Sequence, residues 1–109
     1  MSKQMMVFLA AAMLASQVWA AGSTDRGAEK AKQACAACHG ADGNTPLQPE
    51  YPRLAGQHAD YLAKALRDYK SGARKNAIMG SQAASLSRQD MLDLAAYFSS
   101  LQGSLGVIR

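Results

Sequence analysis

The segment Cys35-Ala36-Ala37-Cys38-His39 places two thiols and an imidazole next to one another. On a helix, residues three and four apart share a face, so all three side chains point the same way. Two thiols at that spacing can each add to a vinyl group on one edge of a porphyrin, leaving thioether links. The histidine that follows can bind the iron from the same side. Cys-x-x-Cys-His is the attachment signal of a c-type haem. A thioredoxin-like redox pair needs a strand before it and an α/β pattern around it, and neither is legible. A zinc site needs two further ligands, but His58 is the only other histidine and there is no second cysteine pair. A plain disulfide explains neither His39 nor the long loops. The residues assign Cys35 and Cys38 as covalent haem anchors and His39 as an iron ligand.

A haem iron has a second axial position, and methionine there raises the reduction potential and makes an electron-transfer site. Met79 stands in a stretch read as a loop, between Ile78 and Gly80, far enough along the chain to fold over the other haem face. Met91 lies inside the last helical stretch beside Leu92 and Leu94 and reads as core. His58, at a helix start, is the alternative ligand. A haem peroxidase or gas sensor needs a vacant or easily vacated iron position, so a methionine ligand argues against an enzyme.

The elements that must position these residues are three helical stretches with long connections. The first is expected from about Asp25 to Ala36, capped by Thr24 or Asp25. A loop rich in glycine and holding all three prolines follows. It is long, and Leu47, Tyr51 and Leu54 indicate that it packs on something. The second helix, about His58 to Ser71, carries Tyr61, Leu62, Ala65, Leu66 and Tyr69 as one apolar stripe and stops at Gly72. A second loop ends in at most a short helical turn. The last helix begins after Ser87, where Ser87 and Asp90 nearly make a capping box. Nothing reads as a strand pair. Three short helices make a poor bundle, and a large flat cofactor would give the connections something to wrap around.

Residues 1–20 read as a cleaved secretory signal peptide: Lys3, an apolar run from Met5 to Ala15, and Val18-Trp19-Ala20 before the cut. That run is short of the ~20 apolar residues that span a bilayer. Residues 21–109 are then one exported domain, placed in the periplasm, with no transmembrane segment after cleavage; peripheral membrane association stays open. The formal net charge is +4, of which Lys3 supplies one. No run of like charges points to nucleic acid. Lys64, Arg67, Arg74 and Lys75 are candidates for steering acidic redox partners, and Gln57, Arg53 and Tyr61 for haem propionates.

With "CAACHGADG", "YPRLAGQHADYLAKALRDYKSGAR" and "IMGSQAASLSRQDMLDLAAYFSSL" in hand, the chain resembles a class I cytochrome c, closest to one haem domain of the dihaem cytochrome c-four type. The resemblance covers nearly all of residues 21–109. It implies an all-α fold, with three main helices and long loops wrapped around one covalently bound haem. It implies that Gly27 crosses Tyr97 at close range and that the Pro52 carbonyl accepts from the ring N–H of His39. It also implies that Leu54 packs on the haem and that Met79 is the sixth ligand. The family resembled carries two such domains, and "GSLGVIR" is similar to the start of its interdomain linker, so the expected partner is another chain. The function implied is a periplasmic one-electron carrier of the respiratory chain, exchanging with an oxidase, reductase or dehydrogenase. The alternative is the cytochrome subunit of a dehydrogenase complex such as a flavocytochrome c sulfide dehydrogenase.

Overall fold

The computed structural model describes residues 22–105, so the expected signal peptide lies outside the described residues. Within them the chain forms five helices and no strand. They are α1 (Thr24–Ala34), α2 (Ala36–His39), α3 (Ala59–Ser71), α4 (Ala77–Ala84) and α5 (Arg88–Ser100). The expected all-α architecture is what the chain adopts.

Helices α1, α4 and α5 each start where a side chain satisfies the first amides. Ser23, one residue before the expected cap, accepts from the Arg26 amide at the head of α1. Ser87 and Asp90 complete a reciprocal capping box on α5. The Asn76 Oδ1 accepts from the Ile78 and Met79 amides and starts α4. That last helix corrects the expectation of a loop around Met79. Gly80 and Ser81 are poor helix formers, and Ala77-Ile78-Met79 shows no apolar period, so the segment lacks a pattern. The cap and packing against α3 make it a helix all the same. The first helix also differs from expectation. Cys35 departs from regular helix at φ −116°, ψ −37°, which divides α1 from the short turn α2 carrying Cys38 and His39.

Helix α1 crosses α5, and α3 packs on both α5 and α4. The crossing is tight because of Gly27. A Cβ built there would lie 2.1 Å from the Asp93 carbonyl oxygen and 2.7 Å from the Tyr97 Cβ. Ala31, Leu62, Leu86, Met91, Leu94 and Phe98 form the core between these helices. Met91 is therefore core, as its neighbours in sequence imply.

Next to the crossing, Asp93 is buried on α5. It accepts from the Ser23 amide at 2.7 Å, from Arg26 Nε at 2.9 Å and from the Gln89 amide at 2.9 Å. Burial by itself would raise the Asp93 carboxyl, but these donors outweigh it and hold the group below its ordinary value. A depressed carboxyl contributes stability that is present above its unfolded value, about 3.9, and lost as pH falls through the folded value. Asp93→Asn should lower stability at neutral pH by roughly 1–3 kcal/mol, because three donors lose an ionised acceptor. It should also flatten the acid limb below about pH 4. Urea unfolding midpoints of both proteins at neutral and acid pH read both effects.

Candidate functional site

The loop after α2 folds on itself before it reaches the site. Asp42 accepts from the amides of Asn44 and Thr45 at 2.8 and 2.9 Å. The Gly43 carbonyl then accepts from Leu54 at 2.7 Å and Ala55 at 3.0 Å. These bonds bring Tyr51, Pro52 and Leu54 back beside α2. Leu47 does not share the packing expected of it and stays 71% exposed.

The α2 turn, this loop, α3, α4 and α5 enclose one cavity of about 510 Å³. Its wall is mostly apolar, with Leu54, Leu62, Leu66, Leu94 and Phe98 among its residues. Cys35, Cys38, His39 and Met79 all line it. Residues from the α1–α2 junction and from α4, forty positions apart, thus share one space. His58 does not line it; that residue is exposed at the start of α3.

His39 is only 5% exposed, and its Nδ1 lies 2.8 Å from the Pro52 carbonyl oxygen. A carbonyl can only accept, so Nδ1 carries the proton and donates it. Nε2 then keeps its lone pair, the form in which imidazole ligates a metal. Tyr51 stands beside the imidazole, with ring centroids 6.5 Å apart. Met79 is half-buried, and the amide cap from Asn76 fixes its backbone.

Cys35 and Cys38 are both free thiols and half-buried. Burial first, and then the neighbouring Cys38, push the Cys35 thiol up to about 11 against a weaker opposing pull from Lys30. Redox-active cysteine pairs depend on the reverse, a lowered value that supplies thiolate at neutral pH. The described residues also contain no cluster of three or more His, Cys, Asp or Glu side chains arranged to hold a bare metal ion. The donor set is one imidazole and one thioether, with two thiols on a single turn, around a cavity in the size range of cofactor sites. A flat apolar macrocycle with its own metal fits that combination.

Of the candidates for charged or polar partners, Arg53, Gln57, Tyr61 and Arg74 line the cavity. Lys64 instead pairs with Asp68 along α3. The first loop's Arg53 donates through Nε to the Asn44 carbonyl at 3.0 Å. Asn76 and Tyr69 also line the cavity and escaped the sequence reading. An Asn three residues before Met79 was the available signal for the first of these. Tyr69 was legible only as part of an apolar stripe.

Residues 24–102 match the family model described as cytochrome c. The chain is 43% identical over 107 residues to cytochrome c4 of Pseudomonas aeruginosa, a match covering 98% of this chain and 52% of that protein. It is 43% identical over 96 residues to the thiosulfate dehydrogenase electron acceptor of Thiomonas intermedia, covering 88% of this chain and 44% of that one. Among solved structures, reduced recombinant cytochrome c4 from Pseudomonas stutzeri is similar at a TM-score of 0.70 and 44% identity. That match covers 77% of this chain and 48% of the other. The chain spans about half the length of the curated relatives it matches.

Proposed function

Since the chain belongs to the cytochrome c family, whose members carry covalently attached haem c, we propose that it is a periplasmic one-electron carrier with His39 and Met79 as axial ligands. Cys35 and Cys38 are its attachment points. The observation that carries this reading is the single cavity lined by Cys35, Cys38, His39 and Met79, with His39 oriented by Pro52. When bound, the haem supplies the one-electron chemistry through its iron.

The chain's own residues do the rest. The hydrogen bond to Pro52 holds the His39 ring in one orientation and in the tautomer that ligates. Leu54, Leu94 and Phe98 exclude water from the cavity wall, which limits solvent reorganisation around a changing charge. The Met79 thioether is a neutral, soft donor that favours the reduced state. Its capped helix keeps it in place in either oxidation state. With His39 and Met79 both available to hold the metal, the site would be suited to transferring electrons rather than to binding and transforming a substrate. No described helix is long and apolar enough to cross a membrane. Export of residues 21–109 after removal of residues 1–20 brings the domain to the compartment where the haem is attached and used.

A second reading follows from one relative's name, thiosulfate dehydrogenase electron acceptor. Here the chain would serve as the cytochrome partner of a sulfur-compound dehydrogenase, of which the flavocytochrome c sulfide dehydrogenases are one kind. A stable heterocomplex recovered on purification would favour it over the free carrier.

Met79→Ala tests the ligand set. Spectra of the oxidised wild type should show a sulfur-to-ferric-iron band that is lost in the variant, which turns high-spin and binds carbon monoxide. A wild type that is already high-spin would sink the methionine assignment.

A further inference from the structure

His39 owes its orientation to one loop carbonyl, that of Pro52, and a loop carbonyl is only as steady as its loop. We propose that Asn44 is a positioning residue for His39. It clasps the chain leaving α5 over the loop that carries Pro52, and so keeps the Pro52 carbonyl on the imidazole. This rests on the haem reading above, in which His39 is an iron ligand.

The main chain of Gly43 and Asn44 grips the residues just past Pro52. The Asn44 carbonyl accepts from Arg53 Nε at 3.0 Å. The Gly43 carbonyl accepts from the Leu54 and Ala55 amides at 2.7 and 3.0 Å. Gly43 has no room for a side chain: its φ is +64°, and a Cβ there would lie 2.8 Å from the Phe98 ring. The Asn44 side chain makes a different attachment. Its Oδ1 accepts from both the amide and the hydroxyl of Ser104, each at 3.1 Å, 60 positions along the chain. One residue therefore binds the loop through its backbone and the exit from α5 through its side chain.

The exit from α5 is shaped to lie there. Leu101 leaves the helix in extended conformation, φ −78°, ψ 143°. The Phe98 carbonyl accepts from the Gly56 amide at 2.9 Å. Gly103 then crosses Ala55 with no space between them, since a Cβ at Gly103 would lie 2.5 Å from the Ala55 carbonyl oxygen. Leu105 follows and lines the cavity together with Tyr51, Pro52 and Arg53. Residues 101–105 thus form a strap over the outside of the loop whose inside meets His39. The strap is rooted in the core through Phe98, so a loop clasped to it is held to the helices.

A clasp of this kind acts on opening and not on the closed geometry. Without the Asn44 carboxamide the strap loses two hydrogen bonds, the loop opens more often, and water reaches the His39 ring N–H. The main-chain bonds of Gly43 and Asn44 stay, so the fold survives.

The test is hydrogen exchange at the His39 Nδ1–H, followed by NMR in the ferrous protein. Wild type, Asn44→Ala, Ser104→Ala, Gly103→Ala and Asp93→Asn are compared, each with its urea midpoint. Loss of two neutral hydrogen bonds should raise the exchange rate about tenfold in Asn44→Ala. Ser104→Ala keeps the amide bond and should raise it by less. Gly103→Ala lifts the strap by overcrowding and should raise it at least as much as Asn44→Ala. Asp93→Asn weakens the α1–α5 crossing instead, and should lower the urea midpoint with ring exchange as in wild type. Asn44→Ala with wild-type exchange overturns the assignment and leaves the haem reading standing. Acceleration as large in Asp93→Asn as in Asn44→Ala also overturns it, because the effect is then one of global stability. Should Asn44→Ala not mature, Ser104→Ala and Gly103→Ala both exchanging as wild type overturn it equally. A wild type that retains no haem overturns the haem reading and this one with it.

Discussion

Replacing Cys35 and Cys38 together by alanine should abolish covalent haem retention. Acid-acetone extraction is expected to leave essentially all haem on the wild-type chain and none on the double variant. Each single variant should keep one thioether and hold its haem with a shifted optical band. The expectation follows from where the thiols stand. Both line the cavity, on one helical turn with His39, and they remain unpaired with each other. The raised Cys35 thiol resists forming thiolate at neutral pH, so the pair is poorly suited to act instead as a dithiol–disulfide couple. Haem that extracts from the wild type would remove the basis for assigning Cys35 and Cys38 as anchors.

The second large effect is expected far from any ligand. Gly27→Ala adds one carbon where there is no room. That carbon would meet the Asp93 carbonyl oxygen at 2.1 Å and the Tyr97 Cβ at 2.7 Å. Backbone cannot rotate aside as a flexible side-chain end can, so α1 and α5 must separate. Overpacking in a well-filled core costs about 1–3 kcal/mol and occasionally more. Contact with backbone puts this position at or above the upper end, about 3 kcal/mol. A small domain has only some 5–15 kcal/mol of stability in all. The variant should show a lowered denaturation midpoint and reduced yield of haem-bearing protein, with the spectrum of whatever matures unchanged. Gly27→Ala with wild-type stability would mean that the crossing can open freely. The adjacent Ser23–Asp93 and Arg26–Asp93 bonds argue that it cannot.

Local chemistry was legible where a short run of residues acts together. Cys35, Cys38 and His39 announce themselves by spacing, and the Ser87–Asp90 cap by its pattern. The apolar stripe of α3 fixed which face turns inward. The sequence was less legible where structure depends on a single polar atom. Helix α4 exists because Asn76 caps it, although its own residues carry no period. The division of α1 from α2 at Cys35 is a backbone departure of one residue, invisible to a periodicity of 3.6. Arg74 read as one more surface cation, since nothing in its neighbours along the chain reveals the Tyr69 ring beneath its guanidinium or the Tyr61 hydroxyl that accepts from it.

By itself, then, the sequence determined the donor types, their order and the helical faces that carry them, because those follow from spacing along one chain. Only the tertiary structure decided which donors meet. It set Met79 and not His58 at the cavity of His39, brought Pro52 to within 2.8 Å of the imidazole, and turned Arg74 onto the rim. Such encounters join residues far apart in sequence. They are fixed by the tight α1–α5 crossing and by how the two loops return to it, which is a property of packing and not of any local pattern.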